Sequence, residues 1–230
     1  MHPAFDAHNV VSAAEHGATH VSLVPTTLSR IDPSKFQTVL LGGARAPEHI
    51  APNVVTTYGM TETFGGVFYN DTALDGVECK IEDSQIFLRG PMLLRAYRDE
   101  TTPLTQDGWL PTGDSGTLTD GHLQVNGRMS DMIITGGENV WPNSVERIID
   151  QHPNVLESAV AGVADNEWGE RVVAWIVLHE ALLAPSLSEI RDLVAKSLPA
   201  FCCPKEIRII KQLPTTSLGK VDRKQLATTV

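Results

Sequence analysis

Residues 53–66 read NVVTTYGMTETFGG. A β-branched run, Val54–Thr57, closes on Tyr58 and Gly59; Thr61 stands near Glu62, and Gly65-Gly66 follow. Two similar runs lie upstream, HVSLVP at 20–25 and TVLLGG at 38–43. Each is short and closed by Pro or Gly. Near-continuous apolar runs between helices fit buried strands of a largely parallel sheet. Asp6 can cap a preceding helix whose apolar face is Val10, Val11 and Ala14, ended by Gly17. In such sheets ligands gather where strands end. The pattern therefore predicts Gly42-Gly43 and Tyr58-Gly59 at strand ends, side by side if the strands are neighbours.

Composition bounds the possibilities. The 230 residues can bury one large or two small cores. A net charge of −10 disfavours a nucleic-acid or anionic-membrane partner, which would want a basic face. A basic cluster at Lys211, Lys220, Arg223 and Lys224 runs against that sign. Cys79, Cys202 and Cys203 form no disulfide framework and have no metal-ligand spacing, which fits a reducing cytoplasm. The opening MHPAFDAHNV lacks the basic and apolar regions of a signal peptide, and no apolar run is long enough to span a membrane.

After about Asp71 the pattern changes. GVECKIEDSQIFLRG (76–90) alternates around Asp83-Ser84, and TLTDGHLQVNG (117–127) around Asp120-Gly121, a strong hairpin signal. This stretch reads as a small antiparallel, barrel-like β unit. Beyond it, Pro142 suits the first turn of a helix carrying Val145, Ile148 and Ile149. SAVAGV (158–163), RVVAWIVL (171–178) and EIRII (206–210) read as strands. Ser186 and Glu189 make a capping box before Leu187, Ile190, Leu193 and Val194. The expected class is α/β. A sheet part at 1–70 and a β unit at 71–127 form a partial large domain, 1–127, and a small α+β domain follows at 128–230.

Four clusters could carry chemistry. In YGMTET (58–63), a hydroxyl and a carboxylate near a strand end could hold a phosphate oxygen and Mg²⁺; the alternative is a polar loop. In GWLPTGDSG (108–116), Asp114 could accept both hydroxyls of a ribose, or simply make an Asx-turn. In GRMSDMIITGGENVWP (127–142), Arg128 and Asp131 precede Gly136-Gly137, where backbone can approach a ligand closely; the alternative is a linker and a surface hairpin. In PTTSLGKVDRKQL (214–226), Lys220 could stabilise charge developing on a phosphoryl group, or be merely solvated.

Taken together and in this order, Tyr-Gly-x-Thr-Glu, Thr-Gly-Asp, Gly-Arg-x-x-Asp with Gly-Gly-Glu-Asn, and Gly-Lys-x-x-Arg resemble the adenylate-forming superfamily. That superfamily includes acyl-CoA synthetases, peptide-synthetase adenylation domains and luciferases. The resemblance covers essentially the whole chain. It implies an AMP-forming ligase that joins a small carboxylic acid to coenzyme A through an acyl-adenylate, consuming ATP with Mg²⁺. Carried over by position, Tyr58 would stack on adenine with Gly59 beside it at the nucleotide, and Gly43 and Ala44 would line the purine. Thr61 would meet the α-phosphate and Glu62 the metal. Asp114 and Arg128 would hold the ribose, and Lys220 would bridge carboxylate and α-phosphate. Gly136, Gly137 and Glu138 would line the pantetheine path after the small domain rotates. The pivot position falls on Ser130, where the family often has Asp or Lys.

The family's Ser/Thr/Gly-rich phosphate loop ending in Lys, upstream of everything seen here, is not in this chain. The expectation is therefore a C-terminal portion, or a nucleotide- or acyl-CoA-binding remnant. It could also be half of a split enzyme that needs a complementary N-terminal chain, or a homodimer. Within the family, TYGMTETFGGVFYNDTALDGVECKI (57–81) and SDMIITGGENVWPNSVER (130–147) resemble o-succinylbenzoate–CoA ligases of menaquinone synthesis. The chain ends soon after Lys220, which favours free coenzyme A over a carrier-protein domain as acceptor.

Overall fold

Asp6 caps the first helix: its Oδ1 accepts the Asn9 N–H at 2.8 Å and α1 runs Ala7–Glu15. This computed structural model describes residues 5–47, 49–179, 183–216 and 220–228. The chain divides into two units, Met1–Thr112 with Gly116–Val125, and Gly113–Ser115 with Asn126–Val230.

In the first unit, α1 is followed by β1 (His20–Leu23), a single helical turn α2 (Pro25–Leu28), β2 (Thr38–Leu41) and β3 (Val54–Met60). The first three strands are parallel, with Leu23 opposite Leu41 and Val39 opposite Val54. Their β-branched and leucine side chains bury Leu23, Phe36, Val39, Leu41 and Val54, and Val10 and Ala14 of α1 pack on that core. Asn53 pins the start of β3: its Nδ2 donates to Pro33 O and Phe36 O, both at 2.9 Å.

The remaining strands are β4 (Gly65–Tyr69), β5 (Thr72–Ala73), β6 (Glu78–Glu82), β7 (Gln85–Arg89), β8 (Leu110–Thr119) and β9 (His122–Arg128). They join the same sheet, in the order β1-β2-β3-β4-β5-β9-β8-β7-β6. The barrel expected over 71–127 is therefore not closed. Its strands extend the parallel part as an open antiparallel sheet, and β6 ends the order with Glu78, Lys80 and Glu82 along it. Charged residues of this kind blunt an unpaired edge. The predicted turns hold. Asp83 and Ser84 have φ of 48° and 64°, and Asp120 and Gly121 of 51° and 83°. These are the positive values a two-residue hairpin turn requires. Val67, Phe68, Ile86, Leu88 and Leu123 fill this half of the unit.

The second unit holds β10 (Ile133–Thr135), β11 (Glu138–Val140), α3 (Pro142–Ile149), β12 (Val155–Asp165), β13 (Gly169–Leu178), α4 (Leu187–Ala195), β14 (Glu206–Ile209) and α5 (Arg223–Thr228). Its sheet runs β11-β10-β13-β12, and β14 pairs parallel to β13. Pro142 opens α3, whose Val145, Ile148 and Ile149 are buried. Ser186 Oγ accepts the Glu189 N–H at 3.2 Å, and Glu189 Oε2 accepts the Ser186 N–H at 2.7 Å, completing the capping box. Alternate residues of β12 and β13 serve two cores, with Val160, Ala174 and Ile176 in one and Ala161, Val173 and Trp175 in the other. Among the described residues no helix is long and apolar enough to cross a membrane. The three cysteines are free, and burial pushes the thiols of Cys79 and Cys202 up to about 11.

Candidate active site

In the first unit the candidate site is built on the far end of β3. The sequence pattern places Tyr58-Gly59 at a strand end. The strand instead continues to Met60 and turns directly into β4, with Gly59 opposite Gly66 and Met60 opposite Gly65. The reason is steric. A Cβ on Gly59 would lie 1.9 Å from Gly65 O, so only glycine allows the two backbones to approach this closely. The Gly65-Gly66 pair is therefore the partner half of a hairpin.

Between them, residues 61–63 form one tight turn. Thr63 is buried, and its hydroxyl accepts the Met60 N–H at 2.9 Å and reaches Gly65 O at 2.7 Å. Phe64 closes the turn at φ 62° with its ring 95% exposed. A left-handed, solvent-facing phenylalanine is unusual, and such residues concentrate at functional turns. Nothing in the local pattern foretold it.

Gly43, Thr57, Gly59, Met60, Thr61, Phe64, Gly65 and Gly66 line an open groove of about 430 Å³. Three of the residues assigned to nucleotide binding, Gly43, Gly59 and Thr61, thus meet at one surface. Gly42 brings β2 close: a Cβ there would lie 2.3 Å from Thr57 Oγ1. Tyr58 points toward the antiparallel half, its ring 6.2 Å from that of Phe68 at a tilt of 58°. Ala44 is exposed and does not line the groove.

Glu62 is partly buried and held from downstream. Tyr97 Oη donates to its Oε1 at 2.9 Å, and the Leu94 N–H donates to its backbone carbonyl at 2.8 Å. That bond raises the Tyr97 pKa, because it favours the protonated phenol beside a carboxylate. Tyr97 was not among the residues singled out in the sequence. Among the described residues no group of three or more His, Cys, Asp or Glu could hold a metal ion. A lone carboxylate fits Mg²⁺ nonetheless, because that ion is commonly held by one or two carboxylates together with substrate phosphates and water.

In the second unit, Asp114 is buried and Arg128 half-exposed, with Arg128 Nε 3.0 Å from Asp114 Oδ1. Asp114 lies on β8 and Arg128 ends the neighbouring β9. Gly113 precedes Asp114 at φ 73°, a left-handed conformation that favours glycine. Ser130 is exposed in a short turn, Met129–Asp131, and donates to Asp131 Oδ1 at 3.2 Å. Gly136 and Gly137, at φ 59° and 85°, form the tip of the β10–β11 hairpin, and Glu138 is exposed beside them. The Gly136 N–H donates to Trp168 O at 2.8 Å, and the Trp168 ring packs where a Gly136 Cβ would stand. Lys220 is exposed; its N–H donates to Thr216 Oγ1 at 3.3 Å, and its carbonyl accepts the Thr216 N–H at 2.7 Å. Gly219, part of the same signature, lies outside the described residues.

Residues 144–220 match the AMP-binding enzyme C-terminal domain. Over 239 residues the chain is 36% identical to a probable 2-succinylbenzoate–CoA ligase of Mycobacterium tuberculosis, covering 95% of this chain and 62% of that one. In sequence and in fold the chain is thus similar to adenylate-forming enzymes. A 2-succinylbenzoate–CoA ligase of Listeria monocytogenes is 33% identical over 96% of this chain and 54% of its own length. The o-succinylbenzoate CoA synthetase of Bacillus subtilis, solved with its acyl-adenylate intermediate, superposes with a TM-score of 0.83 at 30% identity, over 100% of this chain and 55% of that one. ATP-bound MatB of Rhodopseudomonas palustris gives 0.88 at 26% identity, over 100% and 54%. The chain spans a little over half the length of these relatives.

Proposed function

We propose that this chain is part of an AMP-forming carboxylate–CoA ligase acting on o-succinylbenzoate or a closely similar aromatic acid. The observation that carries the reading is the alignment of nearly the whole chain with ligases named for that substrate in two genera. Tyr58, Gly43 and Ala44 would receive the adenine, and Thr61 the α-phosphate. Glu62 would hold Mg²⁺, which when bound would offset phosphate charge. Asp114, its position set by Arg128, would accept the ribose hydroxyls. Lys220 would place its ammonium between the acid and the α-phosphate as charge develops there. After the small domain turns about Ser130, Gly136, Gly137 and Glu138 would border the path of the coenzyme A thiol.

The test is pyrophosphate release by this chain with ATP, Mg²⁺ and a panel of acids that includes o-succinylbenzoate, medium-chain fatty acids and benzoates. Release that depends on o-succinylbenzoate supports the reading. Release with another acid only would overturn the substrate. A second reading is favoured by the coverage of 54–62% of the curated relatives' length. In it the chain binds nucleotide or acyl-CoA without turnover, or works with a complementary N-terminal chain. Nucleotide binding by calorimetry with no pyrophosphate released would support that alternative.

A further inference from the structure

Arg223 is the first residue of α5, three positions past Lys220. Its guanidinium gathers side chains and backbone from several parts of the second unit. Nη2 donates to Glu146 Oε1 at 2.7 Å and Oε2 at 2.9 Å, and to Asn143 Oδ1 at 3.0 Å, all on α3. Nε donates to Val160 O on β12 at 3.2 Å, and Nη1 lies 3.7 Å from Asp131 Oδ2. Glu146 is buried, and its Oε1 also accepts the Val160 N–H at 2.7 Å. Burying an ion pair costs desolvation, and apolar side chains of similar volume often stabilise a core as well. A forked cation with this set of partners is therefore better explained by what it positions than by net stability.

What it positions lies on two sides. On one, the backbone around Lys220 is closed just before Arg223. Thr215 and Val221 form a β-bridge, and the Asp222 N–H donates to Pro214 O at 2.8 Å. On the other, the partners of Arg223 touch both ends of segment 127–131. Asn143 Nδ2 would lie 3.0 Å from a Cβ on Gly127, and Asp131 ends the turn that carries Ser130.

We propose that Arg223 is a positioning residue that couples the Lys220 segment to the Met129–Asp131 turn, so that tail amine and pivot are held by one guanidinium. The proposal rests on the roles assigned above to Lys220 and Ser130, but its test needs no turnover. The experiment is amide hydrogen exchange on the full 230-residue chain, comparing wild type with Asp131→Asn, Arg223→Lys and the double variant. Asp131→Asn should make the Thr216, Lys220 and Asp222 amides exchange about threefold faster, on the scale of one partly exposed ion pair, although Asp131 lies in a different segment. The double variant should exchange no faster there than Arg223→Lys alone. Unchanged exchange at those three amides in Asp131→Asn would overturn the coupling. If Arg223→Lys fails to fold, Asp131→Asn decides alone, with Asp131→Glu expected to restore the wild-type rates. Absence of pyrophosphate release bears on the ligase reading and leaves this outcome unaffected.

Discussion

Tyr97 and Glu62 are 35 residues apart in sequence and share a 2.9 Å hydrogen bond, phenol to carboxylate. The Leu94–Glu62 backbone bond fastens the same two segments a second time. One carboxylate oxygen is thereby oriented, and the turn that carries Thr61 is held against a loop well downstream. Tyr97→Phe removes the phenol but keeps the ring. It is expected to weaken Mg²⁺-dependent ATP binding about fivefold, on the scale of a modest hydrogen bond to a charged group. Calorimetric titration with and without Mg²⁺ checks this; equal affinity in both proteins would remove Tyr97 from the site.

Gly59→Ala places a methyl group against Gly65 O, where the backbones have no space. The expected cost is about 3 kcal/mol to the first unit, at the upper end for overpacking. Urea unfolding followed by tryptophan fluorescence measures it, and a shift in midpoint within error would contradict the close approach.

These two cases mark what the sequence could disclose. The Asp6 cap, the Ser186–Glu189 box, Pro142 and the Asp120-Gly121 turn were legible because each signal is contained within a few residues. The groove was legible in part: glycine at 43 and 59 and a hydroxyl at 61 stand beside short apolar runs. The continuation of β3 past Gly59 was not, because Gly59 and Gly65 matter only as a facing pair, and glycine alone reads as a stop. Tyr97 opposite Glu62 and Arg223 opposite Glu146 were illegible for the same reason, because no periodicity reports a partner dozens of residues away. The antiparallel unit was legible but its openness was not, because alternation marks antiparallel strands without saying whether the first meets the last.

Asp114→Ala should weaken ATP binding by about tenfold or more, since a charged acceptor for two hydroxyls is removed together with its ion pair to Arg128. Competition with a fluorescent nucleotide gives the affinity. An unchanged value would leave Asp114 a turn residue.

Lys220→Ala, in a protein that turns over, should cripple acyl-adenylate formation and spare thioester formation from supplied acyl-adenylate. The two half-reactions are assayed separately, by pyrophosphate release and by thiol consumption. Equal losses in both would refute the role given to the lysine.

Glu157 is half-buried, and burial, with Asp150 adding to it, raises its pKa. A carboxyl whose folded pKa is raised supports the fold fully below the unfolded value of 4.5 and loses that support as pH climbs through the folded value. Glu157→Gln should therefore raise the melting temperature by about 1–3 °C at pH 7 and change it little at pH 4. Calorimetric scans at the two pH values decide; a larger gain at pH 4 would reverse the sign.

β3 pairs parallel with β2 on one side and antiparallel with β4 on the other. Because side chains alternate along a strand, sliding β3 by a single residue would turn each of Thr57, Tyr58 and Met60 to the surface it does not now face. The amide of Asn53, clasping two carbonyls at the strand's beginning, guards against that slip. Whatever meets the groove therefore depends on a residue that never reaches it, and mutating Asn53 would scramble the site from a distance.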